Sequence, residues 1–314
     1  VGKNKIDLPL ISIVMGSEDR TAPTLGIFGG VHGLERIGSE VVIAFLQTLA
    51  ETLKWDRTLQ GRFEKSRIVF MPIVNPAGMF TTNRSNANGI DLMRNAPVQA
   101  DEKPPFLLGG QRISNKLPWF MGHVTQHEQM EKESLAICQL FEEEMFHSKC
   151  SFALDVHSGF GVRDQLWFPY ARTRRAAPHL AEFMALKNLF DKTYPNHFYK
   201  IEPQAKNYTT HGDIWDYLYD RHRAAQVSQN TQNLFIPWTL ELGSWMWLKK
   251  NPRQLFSILG AFNPVRPHRL KRTLRRHLTL FDFLQRALIS PVWAELGASD
   301  RENLRREAMG IWYE

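Results

Sequence analysis

The residues best suited to chemistry are two histidines and two glutamates set beside short polar turns. His32 and Glu35 lie three apart in Gly29-Gly30-Val31-His32-Gly33-Leu34-Glu35. That spacing puts an imidazole and a carboxylate on one face of a helical turn, a usable pair of metal ligands. It equally suits a loop histidine beside a glutamate drawn to the positive end of a helix dipole. Asp155-Val156-His157-Ser158 offers a second histidine. Strand alternation sends Asp155 and His157 to the same face. With His32 and Glu35, His157 completes a two-histidine, one-carboxylate set that keeps a coordination position open for water. Glu241 stands in the apolar run Thr239-Leu240-Glu241-Leu242-Gly243, where a lone carboxylate is costly unless paired or functional. Arg84 and Arg94 sit in a polar loop. As surface charge they need no explanation, but a guanidinium also suits bidentate binding of a carboxylate or stabilisation of an oxyanion.

The elements that must position these residues follow from periodicity. Apolar β-type runs predict strands over 9–15, 25–28, 67–74, 152–157, 166–170, 198–201 and 235–242. Helical spacing predicts helices over 37–53, 131–149, 177–192 and 213–221. Asn75-Pro76-Ala77-Gly78 reads as a turn closing the third strand. Residues 81–116 read as a long irregular loop, a feature more often functional than not in a compact domain. Strands alternating with helices predict an α/β fold with a largely buried sheet. In such sheets ligands collect at the carboxyl ends of strands, where His32, Glu35 and His157 would fall.

Composition narrows the class. The chain has 314 residues, 43% hydrophobic and 23% charged, enough for one substantial core. No apolar run reaches the length of a membrane span, so no transmembrane segment is expected. Two cysteines, Cys138 and Cys150, cannot form a disulfide scaffold. The chain starts at Val1 without Met, so an upstream segment is expected to be missing, and a cytoplasmic location is the default expectation. The net charge of +7 is moderate, and no recognised module accompanies it, so nucleic-acid binding is not expected. From Arg266 to Arg276 there are six Lys or Arg residues and no acid. This stretch reads as a solvated helical face, or as a contact for an acidic partner or a membrane surface. The expected division is a catalytic domain over 1–263 and a basic helical extension over 264–314 packed on it.

Five motifs in order, His-x-x-Glu, Asn-Pro-x-Gly, Asp-Leu-x-Arg-Asn, Asp-x-His-Ser and Leu-Glu-Leu-Gly, are similar to those of the zinc carboxypeptidases related to carboxypeptidase A. The resemblance runs from about Pro9 to Gly243. It implies a mixed, mostly parallel eight-stranded sheet with helices on both faces, one zinc ion, and hydrolysis of a C-terminal peptide bond by zinc-promoted water attack. It implies His32, Glu35 and His157 as zinc ligands and Asp91 as the carboxylate orienting His32. By the same resemblance Glu241 is the general base, Arg84 the oxyanion stabiliser, Arg94 the clamp for a terminal carboxylate, and Tyr208 the mobile side chain closing over substrate.

Two positions depart from the family pattern. Met93 stands where most members have an Asn that shares the terminal carboxylate. Trp215 precedes Asp216 where the specificity pocket is lined; it either reshapes the pocket or turns into the core. Asp213 and Asp216 suit a cationic substrate group or the start of a helix. The expected function is therefore a metallocarboxypeptidase acting on a peptide. The alternative is a zinc amidase or deacylase acting on cell-wall peptide or an N-acyl amino acid, and a catalytically silent binding protein on the same fold is the non-enzymatic rival.

Overall fold

A computed structural model describes residues 7–314. Seven strands form one sheet: β1 (Ile13–Gly16), β2 (Thr24–Gly29), β3 (Arg67–Met71), β4 (Cys150–Ser158), β5 (Gln165–Phe168), β6 (Lys200–Pro203) and β7 (Leu234–Leu242). Their spatial order is β1-β3-β2-β4-β7-β5-β6. The central strands β3, β2, β4 and β7 run parallel, while β1 and β5 pair antiparallel with their neighbours β3 and β7. Every residue of β2, β3 and β4 is buried, as expected of parallel strands covered on both faces.

Helices cover those faces. They are α1 (Arg36–Thr52), α2 (Arg57–Phe63), α3 (Pro76–Thr81), α4 (Lys132–Glu144), α5 (Leu180–Thr193), α6 (Ile214–Gln229), α7 (Trp245–Lys250), α8 (Ile258–Phe262), α9 (Pro267–Arg276), α10 (Leu278–Ile289) and α11 (Ala298–Trp312). α1 and α10 lie against β2 and β4, joined edge-on through Phe45 and Phe281 at 4.8 Å. α5 packs Phe183 on Trp238 of β7 and α11 packs on α5. The opposite face takes α4 and α6, through Phe141 on Phe235 and Trp215 on Phe28.

Three expectations need correction. The sheet has seven strands among the described residues, the number read from periodicity and not the eight implied by the resemblance, and the four-residue β1 is its edge, paired with β3. Residues 9–12 take no strand; Pro9 lacks an N–H for a ladder. Asn75-Pro76-Ala77-Gly78 starts a helix instead of a simple turn. The Asn75 side chain accepts from Gly78 N at 2.8 Å and Pro76 takes the first helical position, the arrangement favoured at helix N-termini. The basic stretch forms α9, whose Arg269 donates to Trp247 O and whose Arg276 pairs with Asp164 at 3.0 Å.

Candidate metal centre and active site

Each metal-ligand candidate sits where an element of the central sheet ends. β2 runs out at Gly29, and the turn after it carries His32 and Glu35 onto the start of α1. A Cβ on Gly38 would run into the Val156 carbonyl oxygen, so glycine lets α1 lie directly on β4 beside His157. α1 has no capping side chain of its own. Asn263, from the end of α8, supplies one: its Oδ1 accepts from Ile37 N at 2.9 Å and its Nδ2 donates to Leu34 O at 2.7 Å. The turn holding Glu35 is thereby fixed from a segment more than two hundred residues away.

The three side chains converge. His32 Nδ1 lies 2.9 Å from Glu35 Oε1, and His157 Nδ1 lies 3.2 Å from Glu35 Oε2. All three are buried, and one ligand atom from each falls within 4.8 Å of the others. Zinc bonds of about 2.0–2.1 Å in a tetrahedron place neighbouring ligand atoms roughly 3.3 Å apart, so this spacing fits the ion. The outer nitrogens are backed as metal-binding histidines require. His32 Nε2 hydrogen-bonds Asp91 Oδ1 at 3.1 Å, while His157 Nε2 stands 2.8 Å from Asp155 Oδ2 as an ion-pair contact outside hydrogen-bond alignment. Ser158 N donates to Glu35 Oε2 at 2.9 Å. Burial alone would raise the Glu35 carboxyl, but His32 and His157 outweigh it and hold it below the usual range. Burial would lower His157, yet Asp155 and Glu35 carry it well above the ordinary imidazole value.

Glu241 is the register partner of His157 across β4 and β7, which places it beside the ligands at the carboxyl ends of the central strands. Its Oε1 accepts from Phe160 N at 2.9 Å. Burial, then the nearby Glu35 carboxylate, push its carboxyl above the usual range. Arg84 donates from Nε to Asp91 at 2.8 Å and from Nη1 to Glu35 at 3.3 Å; its Nη2 has no bond among the described residues. Arg94 is buried and holds the Met93 and Leu108 carbonyls at 3.0–3.3 Å.

His32, Glu35, Arg84, Met93, Arg94, His157, Tyr208 and Glu241 share the wall of one cavity of about 500 Å³. Phe160 and Trp167 line it and pack on Tyr208 at 5.7 and 6.2 Å. Burial raises the Tyr208 phenol, with Arg94 opposing the shift. The loop carrying Tyr208 is held against Arg94 by Gly212, which has φ +69° and whose Cβ would meet the Arg94 carbonyl oxygen. The far rim comes from Leu108, Lys116, Leu117, Pro118 and Trp119. This rim is folded around Gln111, whose amide binds the carbonyls of Ser114, Leu117 and Pro118.

Trp215 corrects the substrate-pocket expectation. It is turned into the core, 3% exposed, and absent from the cavity wall. Its indole N–H donates to Asp155 Oδ2 at 2.8 Å. Asp213 and Asp216 also face inward. Asp213 caps α6 through Trp215 N and Asp216 N, and Asp216 accepts from Ala171 N and Arg172 N. Neither lines the cavity. Motif reading missed Asn263, the bond from Ser158 N to Glu35 and the support that Asp155 gives His157; for Asp155 the signal was present, as the acid two before a strand-end histidine.

Comparison with known proteins places this geometry. The zinc carboxypeptidase model matches residues 2–244. Carboxypeptidase SOL1 of Arabidopsis thaliana is 31% identical over 102 residues, 32% of this chain, and the match spans only 21% of that protein. In fold the chain is similar to thrombin activatable fibrinolysis inhibitor, with a TM-score of 0.66 at 17% identity over 91% of this chain and 67% of that one. It is also similar to carboxypeptidase A from Helicoverpa armigera, with a TM-score of 0.63 at 15% identity over 90% and 69% of the two chains. A family match over residues 2–244, with His32, Glu35 and His157 gathered as a possible metal site, means that this chain belongs to the zinc carboxypeptidase family, whose metallopeptidases use zinc.

Proposed function

We propose that the chain is a carboxypeptidase that hydrolyses the C-terminal peptide bond of a peptide. The observation that carries this reading is the placement of Glu241 in register with His157, on a cavity whose other walls present Arg84 and Arg94. Zinc, when held by His32, Glu35 and His157, supplies Lewis-acid chemistry: it acidifies a water and polarises the scissile carbonyl.

The chain's own residues supply the rest. Glu241, with its carboxyl raised by burial, takes the proton of the attacking water and passes it to the leaving amine. Arg84 turns its remaining N–H groups to the oxyanion, in a site where its charge is poorly screened. Arg94 keeps one face on the Met93 and Leu108 carbonyls, and its other N–H groups receive the substrate's terminal carboxylate. Tyr208, packed on Phe160 and Trp167, closes the site and excludes water.

A second reading, an amidase or deacylase, is favoured by Met93. Met93 lines the cavity with Arg94, and its thioether cannot donate to a carboxylate as an amide would. One experiment separates the two: mass spectrometry of products from peptides offered with free and with amidated C-termini, with Glu241→Gln as control. Single residues released from free termini alone support the carboxypeptidase. Cleavage indifferent to the terminus moves the assignment to the amidase or deacylase.

A further inference from the structure

Behind the cavity wall formed by His157 lies a buried chain of three polar side chains. Trp215 Nε1 donates to Asp155 Oδ2 at 2.8 Å, and the same oxygen stands 2.8 Å from His157 Nε2. Trp215 is 3% exposed and Asp155 has no exposed surface. Asp155 Oδ1 has no partner among the described residues, so the carboxylate's bonded contacts are concentrated on one oxygen.

We propose that Trp215 is a positioning residue for the metal ligand His157, acting through Asp155. For His157 to offer Nδ1 to a metal, its ring proton must sit on Nε2, which stands 2.8 Å from Asp155 Oδ2. The strand fixes the Asp155 backbone, but its carboxylate can still rotate. The indole N–H fixes which oxygen faces the histidine.

Trp215 is itself held from two sides. Its backbone N–H binds the Asp213 cap at 2.9 Å, and its ring packs on Phe28 at 4.8 Å. The other histidine is supported differently. Asp91 is pinned by Arg84, which itself lines the cavity. The Trp215–Asp155 support is neutral at its outer end and sealed from the cavity, so it holds His157 the same way whatever the cavity contains.

The inference rests on His32, Glu35 and His157 being the zinc site. The test measures Zn²⁺ affinity of the full chain by competition with a chromogenic chelator. Trp215 is replaced by Phe and, separately, by benzothienylalanine, which keeps the indole shape but has sulfur in place of N–H. Both variants are expected to bind zinc about tenfold more weakly. In an Asp155→Asn background the Trp215 replacements are expected to add nothing further.

Unchanged affinity in the benzothienylalanine variant overturns the proposal, because packing alone then explains Trp215. Equal losses in the wild-type and Asp155→Asn backgrounds overturn it too, because Trp215 then acts independently of Asp155. A different result defeats the zinc-site reading itself: a wild-type chain that takes up no zinc, or a His157→Ala chain that keeps its full affinity.

Discussion

The cavity has a strand-borne side and a loop-borne side, and they are held by different physics. His157 and Glu241 stand in register on β4 and β7, two long buried strands at the centre of the sheet. Their separation is set by the ladder itself. Arg84, Arg94 and Tyr208 come from irregular segments, where backbone position depends on close approaches such as Gly212 against Arg94 and on Asn75. The Asn75 amide ties Val31 O to Arg84 O at 3.2 and 3.4 Å. The strand side is suited to chemistry that tolerates little displacement. The loop side is suited to binding and closure.

The largest effect should come from removing the strand-borne base. Glu241→Gln keeps size and the acceptor for Phe160 N, so zinc content should be unchanged. Turnover should fall about 10³-fold, within the range expected for a general base. Turnover near wild type, measured at matched zinc content, would show that proton transfer belongs to another group and that the strand side only builds the wall.

Next comes the hinge of the loop side. Gly212→Ala puts a Cβ at φ +69° into the Arg94 carbonyl and should cost roughly 3 kcal/mol in unfolding free energy. It should also raise KM, because Tyr208 and Arg94 lose their common anchor. Chemical denaturation and steady-state kinetics on the same preparation check both. An unaltered KM in the folded variant would mean that the two residues are placed independently.

Arg94→Ala should separate substrates by their C-terminus. With charged hydrogen bonds lost to one ligand group, kcat/KM for peptides with a free C-terminus should drop about 100-fold. Amidated peptides should change little. Equal losses on both substrates would take the clamp away from Arg94.

The same division explains what the sequence disclosed. His32, Glu35, His157 and Glu241 belong to short local patterns, so their residue types and spacing could be read directly, and buried strands such as β3 and β4 show as unbroken apolar runs. Asn263 could not be found that way, because it caps α1 across 226 residues of separation. Trp215 shows a subtler limit. A large aromatic one residue before a helical aspartate could face the cavity or the core. The choice was made by the Asp213 cap, which sets the start of α6, and by Asp155, which offers a buried acceptor. The seven strands read from periodicity all appear, the first shortened to β1, whereas the eighth came from the resemblance and has no counterpart among the described residues.

The smallest effect concerns histidines remote from the cavity. His222, on the buried face of α6, has no exposed surface and lies among the rings of Phe141, Phe146 and Phe235 at 5.3–6.2 Å. No carboxylate meets it among the described residues, and burial lowers its pKa to about 4. His157 is as deeply buried, but its carboxylate neighbours move it the other way. Between about pH 6.5 and pH 4 the unfolded chain binds a proton at His222 that the folded chain refuses. Stability therefore falls as pH drops through 6.5, by about 2 kcal/mol at pH 5 from this one group. His222→Leu should remove that slope. The unfolding free energy of the variant relative to wild type should shift in the variant's favour by about 2 kcal/mol between pH 7 and pH 5. A difference that stays constant over that interval would mean that His222 is protonated in the fold, and that burial among aromatic rings does not govern it as carboxylates govern His157.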